Sequence, residues 1–322
     1  NIRTRIEAYR FVWDDKNFNL GVSIGIAPIN SHTDGITAAL SAADSACCAA
    51  KAHGRNRIHI YREDDAVLAK WHGEVQWVGK INKALEENRF LLYFQPIIPI
   101  EGPTEGAHYE VLLRLRDEDG SIVTPNSFLP AAERYNLATK IDRWVVKESL
   151  SWLDRSPQHL KNLYQCSINL SGNSLSDERF LDFVTEQFSA VNVPAHKICF
   201  EVTETAAIRD LPGATRFIKA LKALGCIFSL DDFGSGLSSF AYLKNLPVDI
   251  LKIDGMFVRD IVKNPIELAM VRSINEIGHV MGKQTVAEFV EDRAIFEKLR
   301  ETGVDYAQGY IFGEPRPIGD RN

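Results

Sequence analysis

From residue 90 to the C-terminus, short apolar runs alternate with longer stretches of helical periodicity. Eight of the apolar runs have the composition of buried strands: residues 91–97, 109–115, 164–171, 197–204, 226–234, 248–255, 283–290 and 305–312. Between them, apolar residues spaced three and four positions apart predict helices over residues 139–154, 173–189, 212–224, 265–281 and 292–302. Eight strands with intervening helices predict an α/β fold, a (β/α)8 TIM-like barrel.

The connection between the first two predicted strands does not fit a regular barrel. It is only about a dozen residues long and contains Pro99, Gly102, Pro103 and Gly106. A parallel pair needs a longer crossover, usually with a helix, whereas an antiparallel pair can be joined by a short loop. We therefore expect an irregular barrel with one antiparallel strand near its start.

The first sixty residues predict a small, separate unit. A β-rich run over residues 20–28 precedes a helical stretch over 37–53 and a strand-like run over 57–61. One helix over two strands buries little apolar surface, so either the chain begins within a domain or this unit packs on the rest of the chain. The first residue, Asn1, is not an initiator Met. We expect a fragment over residues 1–63, a connecting helix over 64–88 and the barrel over 89–322.

Composition narrows the possible partners and the cellular compartment. The net charge of −6 argues against bulk nucleic acid or an anionic membrane as the main partner. No apolar run approaches the roughly 18 residues of a membrane-spanning helix. The five cysteines include no CxxC pair, which favours small core residues in a reduced cytoplasmic setting over a zinc site. Attachment of a longer protein to the inner membrane stays open.

Polar residues interrupt the predicted strands at similar places. They are Glu110, Asn169, Glu201, Asp231, Asp232, Lys252, Glu288 and Gln308. A single acid in a strand is usually a capping or edge residue. Since each strand of a closed barrel ends at the same rim, we expect this set to converge at one mouth of the barrel.

Five carboxylates in one cleft would repel one another and destabilise the fold unless cations lay among them. One lysine cannot neutralise five acids. Carboxylate and amide oxygens, without His or Cys, suit Mg²⁺ or Mn²⁺. The adjacent Asp231 and Asp232 allow one carboxylate to bridge two ions. Such a cleft would attract an anion, as hydrolysis of a phosphodiester by a metal-activated water requires.

Three further features near these acids have two interpretations each. Strand alternation places Glu110, Leu112 and Arg114 on one face, so Arg114 is either a phosphate clamp or a surface ion-pair partner. The DDFGSG segment (231–236) is either an active-site loop or an ordinary turn. Glu204 either holds that loop or caps a helix.

Seven motifs resemble, in order and spacing, those of the EAL family of cyclic di-GMP phosphodiesterases. They are EVLLR (110–114), SINLS (167–171), FEVTET (200–205), DDFGSG (231–236), LKID (251–254), AEFVE (287–291) and QGY (308–310). The segments FQPI (94–97) and PNSFLPAAER (125–134) also resemble family segments. The resemblance covers roughly residues 75–317. It implies hydrolysis of cyclic di-GMP to linear pGpG, which would lower the level of this bacterial second messenger.

The resemblance also implies residue roles. A first Mg²⁺ or Mn²⁺ ion would be held by Glu110, Asn169, Glu201 and Asp231, and a second by Asp231, Asp232 and Glu288. The catalytic residues would be Lys252 beside the attacking water, with Gln308, Glu110 and Glu288. The substrate-binding residues would be Gln95, Leu112, Arg114 and Pro130. Glu204 and Glu291 would support the loop. We expect Ca²⁺ to inhibit, because its longer and looser coordination disturbs a two-metal site.

Two positions depart from the family pattern. Val111 stands where the family name has Ala, and Phe289 stands where the family often has Gly. Strand alternation turns both away from the metal face, so we expect an effect on packing at most. Some relatives have lost acids and bind cyclic di-GMP as receptors without hydrolysing it. This chain retains every acid of the pattern, which favours an enzyme over a receptor.

The N-terminal part resembles another family. LGVSIGIA (20–27) and the segment over residues 43–61 are similar to the C-terminal half of a GGDEF, or diguanylate cyclase, domain, whose signature is absent from this sequence. We therefore expect no cyclic di-GMP synthesis by this chain. The resemblance further implies a homodimer formed through the barrel, with residues 231–242 near the interface, and sensor domains outside this chain.

Overall fold

The computed structural model describes residues 2–13, 16–19, 21–30, 35–52, 56–61, 66–234 and 242–319 of the 322-residue chain. The chain divides into two compact units, Asn1–Lys80 and Ile81–Asn322. The division falls within a helix, α3, that covers Ala66–Glu86. This helix lies where the sequence predicts the connecting helix.

The N-terminal unit combines two short pairs of strands with helices. Its elements before α3 are α1 (Ile2–Glu7), β1 (Arg10–Trp13), β2 (Lys16–Asn19), β3 (Ile24–Ile26), α2 (Gly35–Ala52) and β4 (Ile58–Ile60). The strands β1 and β2 are antiparallel, and β3 and β4 are parallel. A Cβ atom at Gly25 would lie 2.1 Å from the carbonyl oxygen of Ala43, so α2 packs directly on β3 only because residue 25 is glycine. The predicted strand–helix–strand order is confirmed.

The second unit contains ten strands and ten α-helices among its described residues. The strands are β5 (Phe90–Pro99), β6 (Ala107–Arg116), β7 (Ile122–Val123), β8 (Leu163–Leu170), β9 (Ile198–Thr203), β10 (Ile227–Phe233), β11 (Ile250–Ile253), β12 (Gln284–Ala287), β13 (Tyr306–Gln308) and β14 (Arg316–Pro317). The helices are α4 (Leu129–Arg134), α5 (Ala138–Asp154), α6 (Pro157–Asn162), α7 (Gly172–Leu175), α8 (Glu178–Ala190), α9 (Glu204–Arg209), α10 (Leu211–Ala223), α11 (Gly255–Val258), α12 (Pro265–Val280) and α13 (Arg293–Thr302).

Eight of these strands close into a barrel. Strands β6, β8, β9, β10, β11, β12 and β13 are parallel neighbours in that order. Strand β5 closes the circle by pairing antiparallel with both β6 and β13. The predicted strand count and the antiparallel strand near the start are both confirmed. The short loop after β5 therefore turns the chain back directly, as its prolines and glycines predict.

Strand alternation places the polar residues above an apolar layer inside the barrel. Ile97, Cys199, Ile250 and Val286 form a buried cluster. The residues two positions further along β9 and β11, and two beyond Val286, are Glu201, Lys252 and Glu288. A step of two residues along a strand rises about 6.6 Å on the same face. The polar layer thus lies one step nearer the carboxyl ends of the strands, where barrel sites are found.

Polar caps in the sequence determine where several barrel helices begin. Side chains of the N-cap residues Asp177, Thr203, Asp210, Asp254, Asn264 and Asp292 accept hydrogen bonds from backbone N–H groups of the first turns. Within the described ranges, no helix combines the length and the apolar character that crossing a membrane would need.

Candidate active site

The side chain of Lys252 lies at the centre of the acidic cluster. It is 1% exposed, so its ammonium group depends on the protein for its charge partners. Its Nζ lies 2.7 Å from Glu201 Oε2, 2.8 Å from Glu288 Oε1, 3.1 Å from Asp231 Oδ1 and 3.4 Å from Glu110 Oε2. Desolvation by burial opposes the charge of Lys252, but these four acids hold its pKa well above its ordinary value. Lys252 is therefore a fixed cation.

The buried acids do not ionise equally. Burial raises the pKa of Glu201 to about 8 against the attraction of Lys252, and the charges of Glu110 and Asp231 add to the increase. Burial likewise raises the pKa of Glu288 well above its ordinary value. In both groups burial opposes the charged form, and the charge of Lys252 offsets this only in part.

Glu110 ionises more readily than its neighbours. Burial opposes its ionisation, but the charge of Lys252 and hydrogen bonds from Gln308 and Asn169 hold the pKa of Glu110 below its ordinary value. Gln308 Nε2 donates to Glu110 Oε2 at 2.7 Å, and Asn169 Nδ2 donates to Glu110 Oε1 at 2.5 Å. Gln308 Nε2 also lies 3.1 Å from Gln95 Oε1. These amides therefore orient a charged carboxylate at the mouth.

Three acids form a compact group of oxygen ligands. Carboxylate oxygens of Asp231, Asp232 and Glu288 all lie within 4.8 Å of one another. Asp232 is exposed, while Glu288 is buried. Burial, and then the charges of Asp231 and Asp254, raise the pKa of Asp232 to about 6. These are the three residues predicted to hold the second ion.

The donor set fits divalent cations. All the predicted ligands are carboxylates or an amide, which suit hard ions such as Mg²⁺ and Mn²⁺. Two buried oxygens of the cluster, Asp231 Oδ1 and Gln308 Oε1, accept no hydrogen bond from any described residue, although Lys252 is in ion-pair contact with Asp231. Burial raises the pKa values of Glu201 and Glu288, and the charges of Glu110 and Asp231 add to both increases. Additional cations would provide partners for these oxygens and would favour the ionised forms of these acids.

Glu204 connects the two ends of a loop at the mouth. Its Oε2 accepts a hydrogen bond from the backbone N–H of Gly234 at 2.9 Å, and its Oε1 accepts one from the hydroxyl of Tyr242 at 2.6 Å. The intervening residues 235–241, including part of the DDFGSG motif, lie outside the described residues. The N-cap side chain of α9 is Thr203, so the Glu204 carboxylate faces the loop ends. Tyr242 was not among the predicted site residues.

The predicted substrate-binding residues occupy β5, β6 and α4. Gln95 is buried and its Nε2 donates to the carbonyl of Gly313 at 3.1 Å. The Arg114 guanidinium lies 5.3 Å from the centre of the Tyr93 ring and donates to the carbonyl of Leu113. Leu112 is half-buried, whereas Pro130 is exposed at the start of α4. Arg114 is thus held at the rim by an aromatic ring rather than by a carboxylate.

Two residues discussed in the sequence analysis, Phe289 and Glu291, lie in the loop after β12. Glu291 is exposed and makes no hydrogen bond or ion pair within the described ranges, so its support role stays a prediction. For Phe289, the alternation argument was wrong, because β12 ends at Ala287 and does not extend to residue 290. Phe289 instead has a φ of 54°, in the left-handed region.

The sequence interpretation missed a buried acid behind Asn169. Asp142 of α5 accepts hydrogen bonds from the N–H of Ser171 at 2.9 Å and from the hydroxyls of Ser171 and Ser174 at 2.6 Å each. Burial raises the pKa of Asp142 to about 6, although these hydrogen bonds oppose the shift. An acid beside Ile141 on the apolar face of a helix was the available signal. Asp142 thus holds Ser171 and Ser174 by hydrogen bonds, two and five residues after Asn169.

Comparison with known proteins identifies close relatives. The family model described as "EAL domain" matches residues 78–315. The chain is 42% identical over 309 residues to the cyclic di-GMP phosphodiesterase PdeB of Shewanella oneidensis, covering 95% of this chain and 36% of PdeB. It is 36% identical to the cyclic di-GMP phosphodiesterase PdeF of Escherichia coli, covering 77% of this chain and 32% of PdeF. The chain thus spans about a third of the length of these curated relatives.

Solved structures give the same result. The structure titled "PaMucR Phosphodiesterase, c-di-GMP complex" is 32% identical, with a TM-score of 0.70, covering 76% of this chain and 98% of that one. The FimX EAL domain from Pseudomonas aeruginosa bound to c-di-GMP is 32% identical, with a TM-score of 0.71 and the same coverages. The match to the family model covers well over half of the chain, and the barrel has the fold of these structures. This chain therefore belongs to the EAL domain family.

Proposed function

We propose that this chain hydrolyses one of the two 3′,5′-phosphodiester bonds of cyclic di-GMP and releases linear pGpG. The observation that carries the proposal is the convergence of Glu110, Glu201, Asp231 and Glu288 on Lys252, with Asp232 beside them. Family membership supports it, as do the names of PdeB and PdeF. The titles of the MucR and FimX structures support cyclic di-GMP as the ligand.

Two divalent cations, Mg²⁺ or Mn²⁺, are part of the proposal. Glu110, Asn169, Glu201 and Asp231 would hold one ion, and Asp231, Asp232 and Glu288 the other. Ions bound there would lower the pKa of a bound water and neutralise charge on the phosphate. Burial raises the pKa values of Glu201 and Glu288, and this supports the assignment because a cation bound beside them would favour their ionised forms.

The residues around the cluster would orient the reacting groups. Lys252 stays protonated, so it would donate a hydrogen bond to the attacking water and would not act as a base. Gln308 Oε1, which accepts no hydrogen bond from a described residue, would accept one from the same water. The water oxygen would bond to phosphorus as the P–O3′ bond breaks. The water would release one proton to solvent, and the 3′ oxygen would take one proton from solvent and leave as a hydroxyl. Glu110, held by its amide partners, would keep this arrangement rigid.

The rim would bind the rest of the dinucleotide. Arg114 offers a guanidinium to a phosphate, and its contact with Tyr93 supports that orientation. Gln95, Leu112 and Pro130 would contact the substrate beside it. Glu204 would hold Gly234 and Tyr242 through its two hydrogen bonds, and Glu291 would be a second support.

The parts beyond the barrel carry further proposals. Residues 1–63 would be the C-terminal part of a GGDEF-type domain. The resemblance of residues 20–27 and 43–61 carries this proposal. The alignment with the bifunctional diguanylate cyclase/cyclic di-GMP phosphodiesterase MucR of Pseudomonas aeruginosa covers 92% of this chain and so extends beyond the barrel. We also propose a homodimer through the barrel and sensor domains elsewhere in a longer protein, which could be attached to a membrane.

Incubation with cyclic di-GMP and Mg²⁺ tests the proposal. We expect linear pGpG to accumulate, and Glu110→Ala or Asp232→Asn to reduce turnover at least about 100-fold, because each change removes a metal ligand. Glu101→Gln is the matched control, since it removes an exposed carboxylate from the loop after β5. Binding of cyclic di-GMP without product would identify a receptor instead. Near-normal turnover by either ligand variant would refute the site assignment.

A further inference from the structure

One bulky residue with a strained backbone lies next to the acid group formed by Asp231, Asp232 and Glu288. Among the described residues other than glycine, five have positive φ: Asn56, Asn88, Asn136, Asp232 and Phe289. Asparagine and aspartate tolerate this region because their short side chains form local hydrogen bonds. A bulky aromatic residue does not, so Phe289 is the true outlier. It directly follows Glu288.

The ring of Phe289 is held by the segment that follows β11. A Cβ atom at Gly255 would lie 2.1 Å from Phe289 Cδ2, so the ring packs against backbone that only glycine leaves open. The Arg259 guanidinium carbon also lies 4.3 Å from the centre of the Phe289 ring, in cation–π contact. Gly255 begins α11, and Arg259 is the C-cap residue that follows it. The ring therefore connects the loop after β12 to α11.

Val290, which follows Phe289, is hydrogen-bonded to β13. The N–H of Val290 donates to the carbonyl of Gln308 at 3.0 Å, and the N–H of Ile311 donates to the carbonyl of Val290 at 3.3 Å. A Cβ atom at Gly309 would lie 2.1 Å from the Val290 oxygen, so the two backbones touch. Glu288 thus begins a short segment that is anchored to α11 through Phe289 and to β13 through Val290.

We propose that Phe289 is a positioning residue that fixes the carboxylate of Glu288 for metal binding; this rests on the proposed function. Phe289 is 46% exposed, so its ring contributes little to the core. Glycine would adopt the same φ without strain. What the phenylalanine adds is the contact with Gly255 and Arg259, which limits the freedom of the peptide carrying Glu288. Partners that orient a metal ligand typically change metal affinity about 10- to 100-fold when removed.

Direct Mn²⁺ binding to the whole chain, measured by calorimetry, tests this role independently of catalysis. We expect Phe289→Gly to raise the Mn²⁺ dissociation constant about tenfold, the low end for loss of such a partner. Thermal stability should stay equal or increase, because glycine relieves the strain. Phe289→Tyr keeps the ring and should restore wild-type affinity. Gly255→Ala should reproduce the weaker binding, since its Cβ would displace the ring.

Steady-state kinetics separate this role from a merely structural one. In steady-state hydrolysis of cyclic di-GMP, Phe289→Gly should lower kcat with little change in KM, because the substrate contacts are intact. Val280→Ala, which trims an 88% exposed residue at the end of α12, should change neither quantity.

The possible outcomes are distinguishable. Equal Mn²⁺ affinity in wild type, Phe289→Gly and Gly255→Ala would overturn the positioning role even if the enzyme is active. Normal Mn²⁺ binding by the wild type without any hydrolysis would refute the proposed function but leave the positioning role supported by the affinity series. Absence of Mn²⁺ binding by the wild type would overturn both.

Discussion

The buried acids around Lys252 should make the metal-free protein less stable as the pH rises. Glu201 has a pKa of about 8 in the folded protein, and the pKa of Glu288 is also well above its ordinary value. In the unfolded chain both would titrate near the ordinary value of about 4.3. Between these limits, the folded state binds more protons than the unfolded state. The free energy of unfolding therefore decreases with increasing pH.

The clearest window lies between about pH 6.5 and pH 8. Other groups with shifted pKa values titrate mainly below it. The pKa of His108 is lowered to about 4 by burial and then by Lys252, and partial or full burial raises the pKa values of Asp232 and Asp142 to about 6. His108 acts in the opposite direction, but only below its ordinary pKa of 6.5. Within the window, each titrating acid lowers the free energy of unfolding by about 1.4 kcal/mol per pH unit, or about 2 kcal/mol in total.

Urea denaturation of the chelator-treated chain measures this effect. The free energy of unfolding should fall by about 2 kcal/mol across the window from Glu201, and the raised pKa of Glu288 acts in the same direction. Glu201→Gln should reduce the slope, whereas Glu101→Gln should leave it unchanged. Adding Mg²⁺ at about 100 times its dissociation constant should restore about 2.7 kcal/mol. A flat or rising profile between pH 6.5 and 8 in the metal-free protein would refute the reasoning.

Two other predictions concern the ions and the loop. Ca²⁺ in place of Mg²⁺ should reduce pGpG formation at least about tenfold without preventing substrate binding, because Ca²⁺ prefers longer bonds and more ligands; full activity in Ca²⁺ would argue against a two-metal site. Glu204→Ala should lower kcat about tenfold or more by releasing Gly234 and Tyr242. Tyr242→Phe, which removes one of the two hydrogen bonds, should have a smaller effect, and unchanged kinetics in both variants would exclude a loop-holding role.

The barrel was predictable because its strands are buried on both faces and its helices on one. Such burial requires continuous apolar runs in the strands and apolar residues at helical spacing in the helices. The antiparallel β5 was also predictable, since the segment containing Pro99 and Gly106 is too short for a crossover helix. In the N-terminal unit, α1 and the β1–β2 pair were missed. They are only four to six residues long, and such short elements carry too few periods to be recognised.

In the site, sequence showed which residues converge but not how their charges are shared. Placing Glu110 and Glu201 in one layer follows from strand alternation and barrel closure. That Lys252 contacts four acids, and that Glu201 keeps its proton while Glu110 does not, depends on distances and on hydrogen bonds from amides. Those quantities come from packing between strands distant in sequence.

The contacts of the loop residues were the least predictable from the sequence. Phe289 appeared to lie in a strand because the apolar run extends past the end of β12 at Ala287. Its positive φ and its contacts with Gly255 and Arg259 depend on residues about 30 positions away, which no local pattern reports. Tyr242 was missed for the same reason, because its partner Glu204 lies 38 positions away.

The central claim is that the acids around Lys252 bind a pair of divalent cations. Anomalous diffraction from crystals grown with Mn²⁺ would test it most directly. We expect two Mn²⁺ peaks at the mouth of the barrel. One should lie among Glu110, Asn169, Glu201 and Asp231, and the other among Asp231, Asp232 and Glu288. Finding no peak within bonding distance of these oxygens, with Lys252 still in contact with its four carboxylates at saturating Mn²⁺, would contradict it.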